Sequence, residues 1–193
     1  MSQNVFHRTR ANAALFACLF ALAFGPGCES NKGDGLRADY PPMKTAEMGT
    51  MRNVCVSGPI WFGGVPATAD LDLAKRRGIE SVIGLCSSDP DAEAELASHT
   101  SALGMNFLSV PIKPGLRTPA GTVDLVLGKL RESKNSPTLM YCESGGRAVM
   151  VFAVYRVVRG GIPLEEALDS ARRAGMKPGE SEAFVRAQVE RLS

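Results

Sequence analysis

Cys142, Glu143, Ser144, Gly145, Gly146 and Arg147 are the residues whose types and spacing could do chemistry in this chain. They lie between a short β-prone run, Thr138 to Tyr141, and an apolar stretch, Val149 to Val158. The first reads as a buried strand and the second, apolar almost all round, as a buried helix. A strand, a glycine-containing loop and a helix N-terminus together build an anion site. Successive backbone N–H groups converge there, and the helix dipole adds partial positive charge. A thiol at the base of such a loop is drawn towards thiolate, its nucleophilic form. Arg147 supplies a planar fork for a tetrahedral oxyanion such as phosphate or sulfate. The competing reading is a buried structural cysteine before a tight turn, and the arginine and helix that follow weigh against it.

The flanking sequence supplies elements that could hold such a loop. Asn53 to Val56 and Ile60 to Phe62 are β-prone pieces joined by the turn Ser57-Gly58-Pro59. Thr68 is positioned to cap a helix running through Arg77 and ended by Gly78. Ser81 to Cys86 is a second buried-strand run. The polar stretch from Ser87 to Asp91 then leads into a helix over Ala92 to Leu103. Asn106 to Val110 forms a third strand and enters the stiff loop Pro111 to Arg117. Helices follow over Pro119 to Ser133, from Pro163 to Gly175, and over Glu180 to Leu192. Alternating strands and helices predict an α/β fold, three-layer αβα with a small, mostly parallel central sheet. Ligands in such sheets sit beyond the carboxyl ends of the strands, where Cys86, the Pro111–Arg117 loop and Cys142–Arg147 should meet.

The 193-residue chain opens on what reads as a targeting segment. Arg8 and Arg10 precede an apolar run, Ala11 to Phe24, too short to span a membrane. Small residues before Cys28 are similar to a lipoprotein cleavage site, so residues 1–27 are expected to be a signal peptide and Cys28 a lipidated N-terminus. The expectation is an exported protein of the cell envelope, periplasmic or tethered to the membrane through the lipid. Loss of residues 1–27 removes two of 22 basic residues and no acidic one, leaving 20 against 20. Nothing in this neutral balance points to a nucleic-acid binder. Residues 28–51, without sustained periodicity, read as a flexible tether, and 52–193 as one domain. Cys55, Cys86 and Cys142 then remain, with neither a disulfide framework nor metal-ligand spacing, and no cofactor is implied. Cys55 reads as structural. His99 reads as a solvated helix residue, with a Cys–His dyad as its alternative.

Several ordered blocks resemble the cysteine-dependent tyrosine and dual-specificity phosphatase superfamily. The closest likeness is to bacterial phosphatase-like domains sometimes fused to β-lactamase-like hydrolases. The blocks are Ile60-Trp61-Phe62-Gly63-Gly64-Val65-Pro66, Gly78 to Leu85, Gly104-Met105 leading to Val110-Pro111-Ile112, Tyr141 to Arg147, and Glu165 to Leu168. The resemblance implies a dual-specificity-phosphatase-like fold and phosphate monoester hydrolysis, on a phosphorylated small molecule or protein such as a phosphotyrosine substrate. It makes Cys142 the nucleophile and Arg147 the phosphate clamp, with the backbone from Glu143 through Ser144 and Gly145 to Gly146 cradling the phosphoryl oxygens.

The chain departs from that pattern in ways that keep other readings open. Four residues separate Cys142 from Arg147, one fewer than usual, a spacing that resembles many rhodanese-type sulfurtransferases and allows sulfur transfer through a Cys142 persulfide. Tyr141 replaces a histidine, Ala148 replaces a hydroxyl residue, and Glu143 sets a carboxylate beside the thiol. Pro111 to Arg117 holds no aspartate to act as the general acid. Asp89 and Asp91 are the nearest substitutes in the chain, with helix capping as their alternative. A catalytically degenerate module that binds an oxyanion or a partner is the third reading. In a lipid phosphatase of the superfamily, a cysteine in a similar Leu-Cys context can bridge to the nucleophile, which implies a redox role for Cys86, with two buried cysteines too far apart to bond as the alternative.

Overall fold

The computed structural model describes residues 40–86, 89–113 and 118–193. The expected signal peptide, Cys28, the first part of the expected tether and residues 114–117 of the proline-rich loop lie outside the described residues.

Six strands form one sheet in the order β1-β2-β3-β6-β4-β5. β1 (Lys44–Thr45), β2 (Cys55–Ser57) and β3 (Ile60–Gly63) pair antiparallel as a small meander. β3, β6 (Thr138–Tyr141), β4 (Ser81–Gly84) and β5 (Asn106–Ser109) run parallel. β6 is buried at all four positions, as a short apolar run between two parallel neighbours requires. The expected mostly parallel sheet is the one observed.

Helices cover both faces, which gives the expected three layers. α1 (Thr68–Arg76) packs beside α2 (Pro90–Ala102), and α2 lies against β5. On the other face, α4 (Gly146–Gly160) packs on β3 and β6 and is wrapped by α3 (Ala120–Glu132), α5 (Leu164–Arg173) and α6 (Glu180–Leu192). Every residue of α4 from Ala148 to Arg156 is buried, because sheet and helices enclose the whole circumference. Val123, Val126, Leu127 and Leu130 give α3 its inner face, as their spacing predicts.

Two expectations are corrected here. Thr68 is not the cap of α1. Ala67 holds that position, and its N–H donates to Asp70 Oδ2 at 2.9 Å. The same buried carboxylate accepts from Thr50 N at 2.7 Å and Thr50 Oγ1 at 2.9 Å. The flexible tether expected over 28–51 also fails from Tyr40 onward. Tyr40, Met48 and Met51 are buried in the core, and the Tyr155 hydroxyl donates to that of Tyr40 at 3.1 Å. Lacking a regular period, this segment carries no pattern that marks it as core. Its burial depends on surfaces supplied by α4 and α1.

Candidate functional site

The anion loop begins where β6 runs out. Gly63 pairs with Tyr141, and the next amide, Cys142 N, donates to Gly63 O at 3.2 Å, so sheet register fixes the base of the loop. Gly64 bridges Ser144, and Asn53 Nδ2 donates to Ser144 O at 2.9 Å. Gly145 then turns the chain into α4 with φ +91°. A side chain there would be strained, and its Cβ would stand 3.3 Å from both Asn53 O and Gly63 C. At Gly146 a Cβ would lie 3.1 Å from Gly175 O. The loop is therefore clamped between residues 53, 63–64 and 175.

Sequence reasoning missed Asn53, Gly64 and Gly175 as parts of this site. Gly64 stood in a recognised block and Gly175 was expected only as a helix stop. Asn53 carries no local signal, although its left-handed φ of +52° shows that the position is specialised.

Within the clamp the chemical groups converge. Cys142 is 1% exposed, and Arg147 N donates to its Sγ at 3.3 Å. The N–H of the second residue of α4 thus points at sulfur, in the first turn where a helix N-terminus receives anions. The Arg147 guanidinium is anchored through Nη1 to Leu85 O and Ile112 O, both at 3.4 Å. Its Nη2 donates to Glu143 Oε2 at 3.2 Å. The ends of β4 and β6 and the start of the proline-rich loop meet here, at the carboxyl edge of the sheet, as expected. The site can hold an oxyanion between helix amides and a guanidinium, with a sulfur nucleophile beneath.

Cys86 is buried in the same region and is a free thiol, as is Cys142. Burial pushes the Cys86 thiol up from its ordinary value, the Arg147 cation pulls it down, and Cys142, Glu93 and Glu143 push it up further. Those influences place it within electrostatic reach of both catalytic candidates. Tyr141, buried beside Gly84, has its hydroxyl pushed up by burial first and then by Cys86 and Glu93. That hydroxyl has no hydrogen-bond partner among the described residues.

The two candidate acids fall differently. Asp89 Oδ1 accepts from Asp91 N and Ala92 N, both at 3.1 Å, so Asp89 is the N-cap of α2. Pro90 at the first helical position strengthens that role. Asp91 lies exposed in the first turn. Glu93, half-buried one turn into α2, receives the Ser109 hydroxyl. His99 is part-exposed and pairs with Asp72 at 2.9 Å, so it forms no dyad with Cys142. Cys55 is buried, and burial pushes its thiol up to about 12, which makes it an inert core residue.

Residues 63–158 match the family described as the β-lactamase hydrolase-like protein, phosphatase-like domain. Among solved structures, TpbA from P. aeruginosa is similar over 80% of this chain and 94% of its own, at 21% identity and a TM-score of 0.63. Kinase-associated phosphatase aligns with 69% of this chain and 86% of its own, at 17% identity and TM-score 0.61. The PP-IP phosphatase SIW14 from S. cerevisiae aligns over 70% and 84%, at 19% identity and TM-score 0.59. These likenesses establish the fold. No curated protein matches the chain.

Proposed function

We propose that this protein hydrolyses phosphate monoesters through Cys142, a reading supported by the match of residues 63–158 to the phosphatase-like domain of the β-lactamase hydrolase-like protein and by the fold it shares with solved phosphatases. The observation that carries the reading is the Arg147 N–H aimed at Cys142 Sγ, with the guanidinium braced against the carbonyls of Leu85, just past β4, and Ile112, in the loop after β5. The Cys142 thiolate attacks phosphorus and forms an S–P bond while the P–O bond to the leaving group breaks. The departing oxygen takes a proton. A water then attacks phosphorus, the S–P bond breaks, and phosphate leaves with Cys142 restored as thiolate. The loop amides and Arg147 follow the charge as it spreads over the equatorial oxygens, which lowers the barrier more than it strengthens ground-state binding. TpbA has been solved in complex with phosphotyrosine, which makes a phosphorylated tyrosine or a small aryl phosphate the first substrate class to try.

The decisive test is release of p-nitrophenol from its phosphate ester by the reduced full-length protein, with Cys142→Ser beside it. Turnover that the serine variant loses supports the reading. Turnover that survives the substitution rejects it. Absence of turnover, with a Cys142 thiol that accepts and passes on sulfane sulfur, would replace it with sulfur transfer, the reading that the four-residue spacing favours. Loss of both activities would leave an oxyanion-binding module.

We assign Asp91 a proton-donor role as the exposed candidate left once Asp89 is taken up in capping. Cys86 serves as a redox partner of Cys142, supported by its place next to Leu85, whose carbonyl holds the Arg147 guanidinium of the same loop. Export and lipidation at Cys28 rest on the sequence of residues 8–28. Cys28→Ala should move the protein from the membrane fraction to the soluble one, and retention in membranes would reject the anchor.

A further inference from the structure

Arg147 has two faces of hydrogen-bond donors, and both are occupied. Nη1 is held by the backbone carbonyls of Leu85 and Ile112, whose own amides are fixed to Tyr141 O and Leu85 O. Nη2 is held by Glu143 alone among the described contacts, at 3.2 Å. The two partners differ in depth: the Glu143 side chain is 70% exposed and that of Arg147 only 23%. Glu143 therefore lies over the mouth of the loop and presents a carboxylate where an incoming oxyanion would meet the guanidinium. A carboxylate and a phosphoryl group offer the fork the same pair of acceptor oxygens.

We propose that Glu143 sets the charge class of substrate this site accepts. The inference rests on the phosphatase reading and adds a substrate class to it. An incoming phosphoryl group must displace the Glu143 carboxylate from Nη2, and the displaced carboxylate then stays at the rim because its backbone is part of the loop. A single phosphate in neutral or cationic surroundings, such as a phosphotyrosine beside lysines or arginines, bears only that displacement. An ester with further phosphates bears a like-charge contact for each additional anion near the rim. Polyphosphorylated substrates are thereby disfavoured. Charges at roughly 5 Å in a half-solvated rim repel enough to change affinity by about three- to tenfold, and less in high salt.

The experiment uses the full-length protein and Glu143→Gln, which keeps shape and removes charge at an exposed position. Turnover of p-nitrophenyl phosphate is measured with inorganic phosphate and pyrophosphate as competing inhibitors. The expected result is a lower KM and a tighter phosphate inhibition constant in the variant, each by about three- to tenfold. Pyrophosphate should gain more than phosphate, kcat should move less than KM, and added salt should shrink the differences. Unchanged or weaker binding in the variant, or equal gains for the two inhibitors, would overturn the proposal while leaving the phosphatase reading intact. If the parent protein shows no turnover, the phosphatase reading has failed separately. Calorimetric titration of both proteins with the same two anions then decides the inference, with the same outcomes.

Discussion

Cys142 and Cys86 are both buried thiols near one cation, yet their surroundings assign them different chemistry. Cys142 receives a helix N–H on its sulfur, whereas burial dominates at Cys86 and holds its proton. On the proposed nucleophilic role of Cys142, peroxide is expected to attack that thiol first. Its thiolate would be oxidised to a sulfenic acid, and the Cys86 thiol would then condense with it, releasing water and closing a disulfide. Activity lost to mild peroxide should return on reduction in the parent protein. In Cys86→Ser the loss should become largely irreversible as the sulfenic acid oxidises further. Equal recovery of the two proteins would remove Cys86 from any protective role. The raised Cys86 value also has a thermodynamic sign. Below the ordinary thiol value of about 9 the group is protonated both folded and unfolded, so its full contribution to stability is present. Above that value the unfolded chain ionises first and stability falls with rising pH, so the parent should lose more stability above pH 9 than a Cys86→Ala variant.

At the scale of elements, each helix start near the site has a distinct task. α4 begins on a left-handed glycine and offers free N–H groups to sulfur and ligand. α2 begins on Asp89 and has its first amides already satisfied. Asp89→Ala should cost about 1 kcal/mol of stability in chemical denaturation, and should leave the leaving-group dependence of turnover unchanged. Asp91→Asn should instead slow a poor leaving group such as phenol more than p-nitrophenol. The reverse pattern would exchange the roles of the two aspartates. Gly84 has a packing task of its own: a Cβ there would stand 2.7 Å from the Tyr141 hydroxyl, so the β4 backbone must stay bare for the tyrosine ring to cross it.

At the scale of the molecule, the domain begins earlier than the regular pattern does. Tyr40, Met48 and Met51 fill space against the core, β1 adds a strand beyond β2, and Asp70 ties Thr50 to the start of α1. Burial of three such side chains contributes several kcal/mol. A chain beginning at Arg52 should therefore melt roughly 10 °C or more below one beginning before Tyr40. It should also lose activity, because Met51 and Arg52 lead directly into Asn53 and its bond to Ser144. Equal melting temperatures would show that the segment merely rests on a domain complete without it.

Much of this was legible in the residues. Short β-prone runs mark five of the six strands of the sheet, and apolar spacing, caps and glycine stops mark the six helices among the described residues, because those signals are local. Glycines and an arginine between a strand and a helix announce an anion loop because backbone geometry and charge are local properties. Other features required the folded chain. Whether Asp89 caps or catalyses depends on where its oxygens point. The clamp of Asn53, Gly64 and Gly175 joins residues distant in sequence, and only the order β3-β6-β4 brings Gly63, Cys142 and Leu85 side by side. The burial of Tyr40 and Met48 and the seating of Glu143 on Arg147 likewise depend on surfaces from other elements. Short-range pattern and composition determined the elements and the candidate nucleophile. Long-range packing decided which polar groups were already paired, and hence which remain free for chemistry.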